Sequence, residues 1–240
     1  MRVARLMAVV LVCALAVLAG EPWDDKEPKA WTAKDVDKIL NRSPWAKRVA
    51  TARTALQNTT DTGDFRGTKA SDRILGQTRE DDWVIAWWWS SKTVRRAYLR
   101  MHELSGGQVD AQQAQEFAES DMTTPAVSIM GGGNMIAVSG KLPVDRLKQM
   151  AWLESKRFKE EIYPQEVRIL DDGAGKVDRI VFIFPEKVGD VPVVNAEDKR
   201  ILFRWKLPKN PAQAQKPETA EQFEASFEPN KMTINKSADF

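Results

Sequence analysis

Cysteine is nearly absent from this 240-residue chain: Cys13 is the only one, and it lies inside an N-terminal apolar run. Without that run the chain has no disulfide, no thiol nucleophile and no thiolate metal site. Histidine is as scarce. His102 stands alone, so a zinc site would need carboxylate ligation, and a Ser-His-Asp arrangement would have to pass through this one residue. No G-x-S-x-G elbow is present, which removes the common serine-hydrolase frame. An excess of charge is missing too. Two of the 36 basic residues, Arg2 and Arg5, fall in the N-terminal run, which has no acid, so the remaining bases balance the 34 acids. Nucleic acid and anionic lipid are therefore not expected partners. No apolar stretch after residue 20 is long enough to span a bilayer, and no long repeat or heptad seam occurs.

What is present begins with that N-terminal run. Arg2 and Arg5 form a positive start, Leu6 to Leu18 is unbroken apolar sequence, and Val17-Leu18-Ala19 suits a signal peptidase. Residues 1–20 are expected to be a secretory signal peptide that is removed, leaving an exported protein, periplasmic or extracellular. Thirteen apolar residues are too few to cross roughly 30 Å of hydrocarbon. Val12 precedes Cys13 where a lipoprotein site would have a small residue, so acylation is not expected. In an oxidising compartment, a chain without cysteine must draw its stability from burial. The roughly 220 residues that remain suffice for a sizeable core.

Residues 21–30 are charged and carry Pro22 and Pro28, which reads as a flexible lead-in. A helix start follows: Thr32 as N-cap, Asp35 in the capping-box position, and Trp31 with Val36 in the staple positions. Val36, Ile39 and Leu40 then share one face, and Ser43-Pro44 opens a new turn. Residues 58–82 form a polar stretch, long for a loop inside a domain. Trp83 to Trp89 reads as a strand apolar on both faces, hence internal. Ser90 or Ser91 caps a helix in which Val94, Ala97, Tyr98 and Met101 make the apolar side, with Arg95, Arg96 and Arg100 opposite. A second helix, 111–119, follows Asp110.

Beyond Pro125 the texture is β. Ala126–Met130 and Met135–Ser139 read as strands around Gly131-Gly132-Gly133-Asn134, and 144–153 as a short helix. Strands at 166–170 and 179–184 flank a hairpin signal, and 201–207 is a further strand. A linker-like loop, 208–220, precedes a terminal hairpin of Phe223–Phe227 and Met232–Asn235 within 221–240. The expected fold is α+β: short N-terminal helices, a mixed or mainly antiparallel sheet and a β-rich C-terminal half. The main domain spans 31–207, with the terminal hairpin packed on it.

Several motifs invite chemistry without supporting it. The Gly131 to Asn134 run lacks the third glycine of a dinucleotide frame, because Ile136 stands there, and no Lys-Ser/Thr follows at phosphate-loop spacing. The pairs Asp81-Asp82 and Asp171-Asp172 miss the calcium-loop pattern with its distal glutamate. Asn58-Thr59-Thr60 matches a glycosylation sequon, a three-residue pattern common by chance. No catalytic, cofactor-binding or metal-ligating residue is assigned, and no cofactor is expected.

Tryptophan is the surplus residue: nine lie after residue 20. Strand alternation sends Trp83, Trp87 and Trp89 to one face and Trp88 to the other. These three are the candidate binding surface, a stacking platform for sugars or for a partner protein. The competing reading, a tryptophan-heavy core, is favoured. A binding protein for an envelope macromolecule, a carbohydrate-binding protein and a carboxylate-only hydrolase are the three functions left in play, in that order.

The run Trp31-Thr32-Ala33-Lys34-Asp35, then Ile39-Leu40-Asn41-Arg42-Ser43-Pro44-Trp45-Ala46-Lys47, resembles the opening motif of a group of secreted bacterial proteins of no known activity. That group shares W-[ST]-x-x-[DE] followed by [IM]-L-x-x-S-P-W. The later order is similar as well: a strand ending in Trp-Ser, Val94-Arg95-Arg96-Ala97, an apolar strand ending Phe184-Pro185, and a β-rich tail. About half of the chain takes part; 58–82 and 208–220 depart from the pattern. The resemblance implies a bacterial envelope or extracellular setting, and carries over no functional residue.

Overall fold

The computed structural model describes residues 20–51, 83–172, 174–216 and 219–240. The polar stretch 58–82, with Asn58 and the Asp81-Asp82 pair, lies outside the described residues. Among the described residues, five antiparallel strands form the main sheet in the order β1-β2-β3-β6-β5. They are β1 (Ala46–Ala50), β2 (Trp83–Trp88), β3 (Ala126–Gly131), β5 (Glu166–Asp171) and β6 (Val177–Ile183). A second antiparallel sheet has the order β10-β9-β4, from β4 (Ala151–Ser155), β9 (Ile201–Leu207) and β10 (Glu221–Phe227). Helices and antiparallel sheets, with a strand-rich C-terminal half, make the fold α+β.

Alternation along the strands explains the layering. Val84, Ala86 and Trp88 of β2, with Ile180 and Phe182 of β6, turn toward the second sheet. There Trp88 meets Phe227 edge-on at 5.0 Å and Phe182 meets Phe203 at 5.8 Å. In β9 every second residue is buried, so one face of the second sheet is core and the other carries ion pairs such as Arg204 with Glu154 and Glu224. The opposite face of the main sheet takes helix α2 (Ala33–Arg42) and helix α3 (Lys92–Leu104).

Helix α2 starts as its sequence dictates. The Thr32 side chain accepts from the Asp35 amide, and the Asp35 carboxylate accepts from the Thr32 N–H at 2.9 Å. Trp31 and Val36, the staple pair, are both buried. Lys26 donates to both Asp35 oxygens at 2.9 Å. That bond, helped by the two Thr32 donors and opposed by partial burial, holds the Asp35 carboxyl down to about 2. A lowered carboxyl contributes stability above its ordinary pKa and loses it as pH falls through the folded value. Asp35→Asn is therefore expected to show a smaller loss of urea midpoint than the wild type between about pH 4 and pH 2.

Six sequence expectations are corrected. Residues 21–30 are not a flexible lead-in: helix α1 (Pro22–Asp25) and a 3-10 turn at Pro28–Ala30 pack on the core. The indole of Trp31 donates to the Pro22 carbonyl at 3.0 Å, Trp23 meets Trp45 edge-on at 5.4 Å, and Glu21 pairs with Lys38 at 2.6 Å. Two tryptophans anchor a segment whose charged composition hides them. Met135–Ser139 is not a strand; it belongs to helix α5 (Asn134–Ser139), whose Met135, Ile136 and Val138 are buried. Gly131, Gly132 and Gly133 all have positive φ, so the run turns the chain from β3 into a helix. An apolar run this short cannot be resolved by periodicity.

Residues 144–153 divide into helix α6 (Val144–Lys148) and strand β4. The terminal hairpin of 223–235 does not form, because β10 pairs with β9 in register Phe223↔Trp205, and β11 (Thr233–Ile234) pairs with β12 (Ser237–Ala238). The 208–220 stretch is thus the connection inside a β9–β10 hairpin, and it carries helix α7 (Pro211–Gln215) capped by Asn210. Finally, Arg95 is not on an outer face. It is buried and donates to the Phe117 carbonyl at 2.7 Å, the Ser120 carbonyl at 2.7 Å and the Ser120 hydroxyl at 2.5 Å. That pins the C-terminal end of helix α4 (Ala111–Glu119) to α3.

Candidate functional site

The register of the main sheet places Trp87 opposite Ser128 and Ile85 opposite Met130, with Arg179 next in that row on β6. All of these share the helix-side face. Trp87 is 3% exposed, and its indole donates to the Leu40 carbonyl of α2 at 2.6 Å. Trp89, 6% exposed, lies nearly parallel to it at 6.2 Å. Tyr98 of α3 touches both rings, and Phe117 of α4 meets Trp89 at 5.6 Å.

The Arg179 guanidinium closes this group. It lies 5.4 Å from the Trp87 ring, 4.8 Å from Trp89 and 4.1 Å from Tyr98, while Nε and Nη2 donate to Asp178 at 2.9 and 2.6 Å. A desolvated cation over several aromatic faces is a strong packing contact. Arg179 Nη1 and the Ser128 hydroxyl have no hydrogen-bond partner among the described residues. The Trp87 and Trp89 rings are thus occupied by each other, by Arg179 and by Tyr98, and they do not form an open stacking platform. Trp83 is half-buried, with the Arg48 guanidinium over its ring at 5.0 Å. The three tryptophans of the sequence reading share a sheet face, but that face is core at Trp87 and Trp89.

Next to this core the helices leave a gap. Helix α2, the C-terminal end of α3 and strands β2 and β3 together line a groove of about 350 Å³. Val36 and Leu40 form one wall, Met101 and Leu104 the other, and Ile85, Trp87 and Met130 the floor. Leu104 is 45% exposed, and Ile85, Met101 and Met130 are half-buried. Unbranched methionines adapt to irregular apolar partners. The polar rim is negative in two places: the Asp37 carboxylate, and the carbonyl end of α3 at Ser105. Asn41 donates to Asp37 at 2.9 Å and Arg42 reaches it only at 3.8 Å. Sequence reasoning missed this groove because its lining comes from two helices and two strands distant in the chain. The exposed Leu104 at the end of an otherwise amphipathic helix was its one local signal.

The remaining candidates are placed as follows. His102 is exposed on α3. Asp172 serves the β5–β6 turn, accepting from the amides of Ala174 and Lys176 at 2.9 and 3.2 Å. Among the described residues no group of three or more His, Cys, Asp or Glu is arranged to hold a metal ion, and no helix is long and apolar enough to cross a membrane. The chain matches no protein-family model, no curated protein and no solved structure.

Proposed function

We propose that this is an exported, non-catalytic binding protein, and that its groove between α2 and α3 seats an apolar segment of an envelope or extracellular protein. The groove carries the reading: it is lined by apolar side chains, of which Leu104 is exposed and Ile85, Met101 and Met130 are half-buried, and its volume is about 350 Å³. The negative rim favours a segment that also bears a lysine or arginine. Export is supported by the leader-like residues 1–20, and the contacts of Glu21, such as its pair with Lys38, lie beyond the expected cleavage point. Cleavage near residue 20 would leave these contacts whole.

The test uses tagged protein expressed in its native host, cross-linked in situ and recovered from the envelope. Leu104→Glu and Met101→Glu are expected to reduce one specific co-purifying protein at least about tenfold, while Val191→Glu, outside the groove, leaves it unchanged. Equal recovery from all variants would overturn the reading. Mass spectrometry of the same material is expected to find an N-terminus at Gly20 or Glu21; an intact leader would contradict export.

A further inference from the structure

A second cleft, of about 450 Å³, lies where the loop after β4 runs past β9. Glu154, Phe158, Lys159, Glu160, Arg200 and Leu202 are among its lining residues, together with Lys156 and Glu161. The loop is held at several points. Leu153 and Ile162 exchange two backbone hydrogen bonds at 2.9 Å, and the Phe158 amide donates to the Ser155 carbonyl at 3.1 Å. Arg157 grips Asp198 through Nε at 2.9 Å and Nη2 at 2.5 Å, and it donates to the carbonyls of Pro192 and Val193 at 2.7 and 3.0 Å. Its guanidinium also covers Phe158 at 5.5 Å. A cleft fixed in this way loses little conformational freedom when it binds.

Its charges balance: three carboxylates, Glu154, Glu160 and Glu161, face three cations, Lys156, Lys159 and Arg200. A phosphate, a nucleic acid or an anionic surface gains no net field from such a lining. Lys156, Lys159 and Glu160 make no ion pair among the described residues and stand in solvent, so both donors and acceptors are on offer. Groups that donate and accept at once, as sugar hydroxyls do, can satisfy both kinds. Phe158 and Leu202 add apolar surface. Outside the lining but tied to it through its hydroxyl, which donates to Glu161, the Tyr163 ring is 45% exposed and lies 6.4 Å from Trp152. Aromatic faces with a polar tip suit ligands that are apolar on one side and wet on the other.

We propose that this cleft binds a short stretch of an uncharged oligosaccharide, with Tyr163 at its edge against a sugar face, apolar surface from Phe158 and Leu202, and Glu160, Lys159 and Arg200 on its hydroxyls. The inference stands on different residues from the protein groove and does not depend on it. The experiment is a 15N-HSQC titration of residues 21–240 with two neutral probes, chitotetraose and cellotetraose. Shifts that follow a binding isotherm and centre on 154–163 and 200–202 are expected with at least one probe. Tyr163→Ala and Glu160→Gln, both at exposed positions, are each expected to weaken it at least about fivefold while leaving the melting temperature unchanged. Absence of shifts with both probes would overturn the proposal, as would shifts elsewhere or shifts that both variants retain at full strength. A response to inorganic phosphate or to a basic peptide, with none to either sugar, would overturn it as well.

Discussion

Replacing Trp87 with alanine is expected to destabilise the protein by about 3–5 kcal/mol, the range for emptying a large aromatic site in a packed core. The indole is buried, and its removal strands the Leu40 carbonyl that it meets at 2.6 Å. It also strips Trp89 and Arg179 of the ring packed against them. Trp87→Phe separates the contributions, because it keeps most of the aromatic surface and loses only the N–H donor; about 1–3 kcal/mol is expected for leaving that acceptor buried and alone. Urea unfolding of both variants measures this through the midpoint, with the slope unchanged. A cost below about 1 kcal/mol for the alanine variant would mean that the ring is not core but a free platform.

Deleting Asp239 and Phe240 is expected to cost about 2–4 kcal/mol, far more than trimming an ordinary chain end. The Asp239 carboxylate accepts from the Ser91 hydroxyl at 2.7 Å and from the amides of Lys92 and Thr93 at 2.8 and 3.2 Å. These are the orphan donors at the start of α3, so a carboxylate from the other end of the chain acts as a second cap on that helix. The Asp239 main chain is used too: its carbonyl accepts from the fully buried Trp45 indole at 2.6 Å, and its N–H donates to Met232 at 2.9 Å. Asp239→Asn keeps the shape and loses the charge, with an expected cost of about 0.3–1 kcal/mol from the helix dipole alone. Hydrogen exchange reads the contact directly. The Lys92 and Thr93 amides should exchange much faster after the deletion, and unchanged protection would sink the assignment.

What was legible in the sequence was local. The Thr32–Asp35 box, the staple of Trp31 with Val36 and the cap at Asp110 are decided within a few residues and formed as read, and of the two serines offered as the cap of α3 it is Ser91 that serves. Strands with a strong apolar surplus were legible as well, since β2 and β6 sit inside the main sheet flanked on both sides. Elements whose identity depends on distant partners were not. Whether Glu221–Phe227 pairs with β9 or with the chain end is settled by the stack of Trp205 on Phe223, at 5.5 Å, which no local pattern announces. Arg95 and Arg179 show the same limit in side chains. Arg95 reads as one of an outer trio with Arg96 and Arg100 until the carbonyls at the end of α4 are found to receive it, and nothing local to Arg179 announces the tryptophan and tyrosine rings around it. The candidate binding surface went astray for that reason: its tryptophans were identified, but Arg179 and Tyr98, which cover them, come from two other elements.

The groove between α2 and α3 is the feature on which the functional account rests, and site-specific photo-crosslinking in the native host tests it most directly. A photoreactive amino acid is placed at position 104, on the exposed rim, and in a parallel strain at position 191, on the exposed β7–β8 turn (Lys187–Val188 and Val191–Pro192). The account predicts one protein adduct of constant mass from position 104, lost when Met130→Lys blocks the groove floor, and none from position 191. The same adducts from both positions, or no protein adduct from 104, would contradict it.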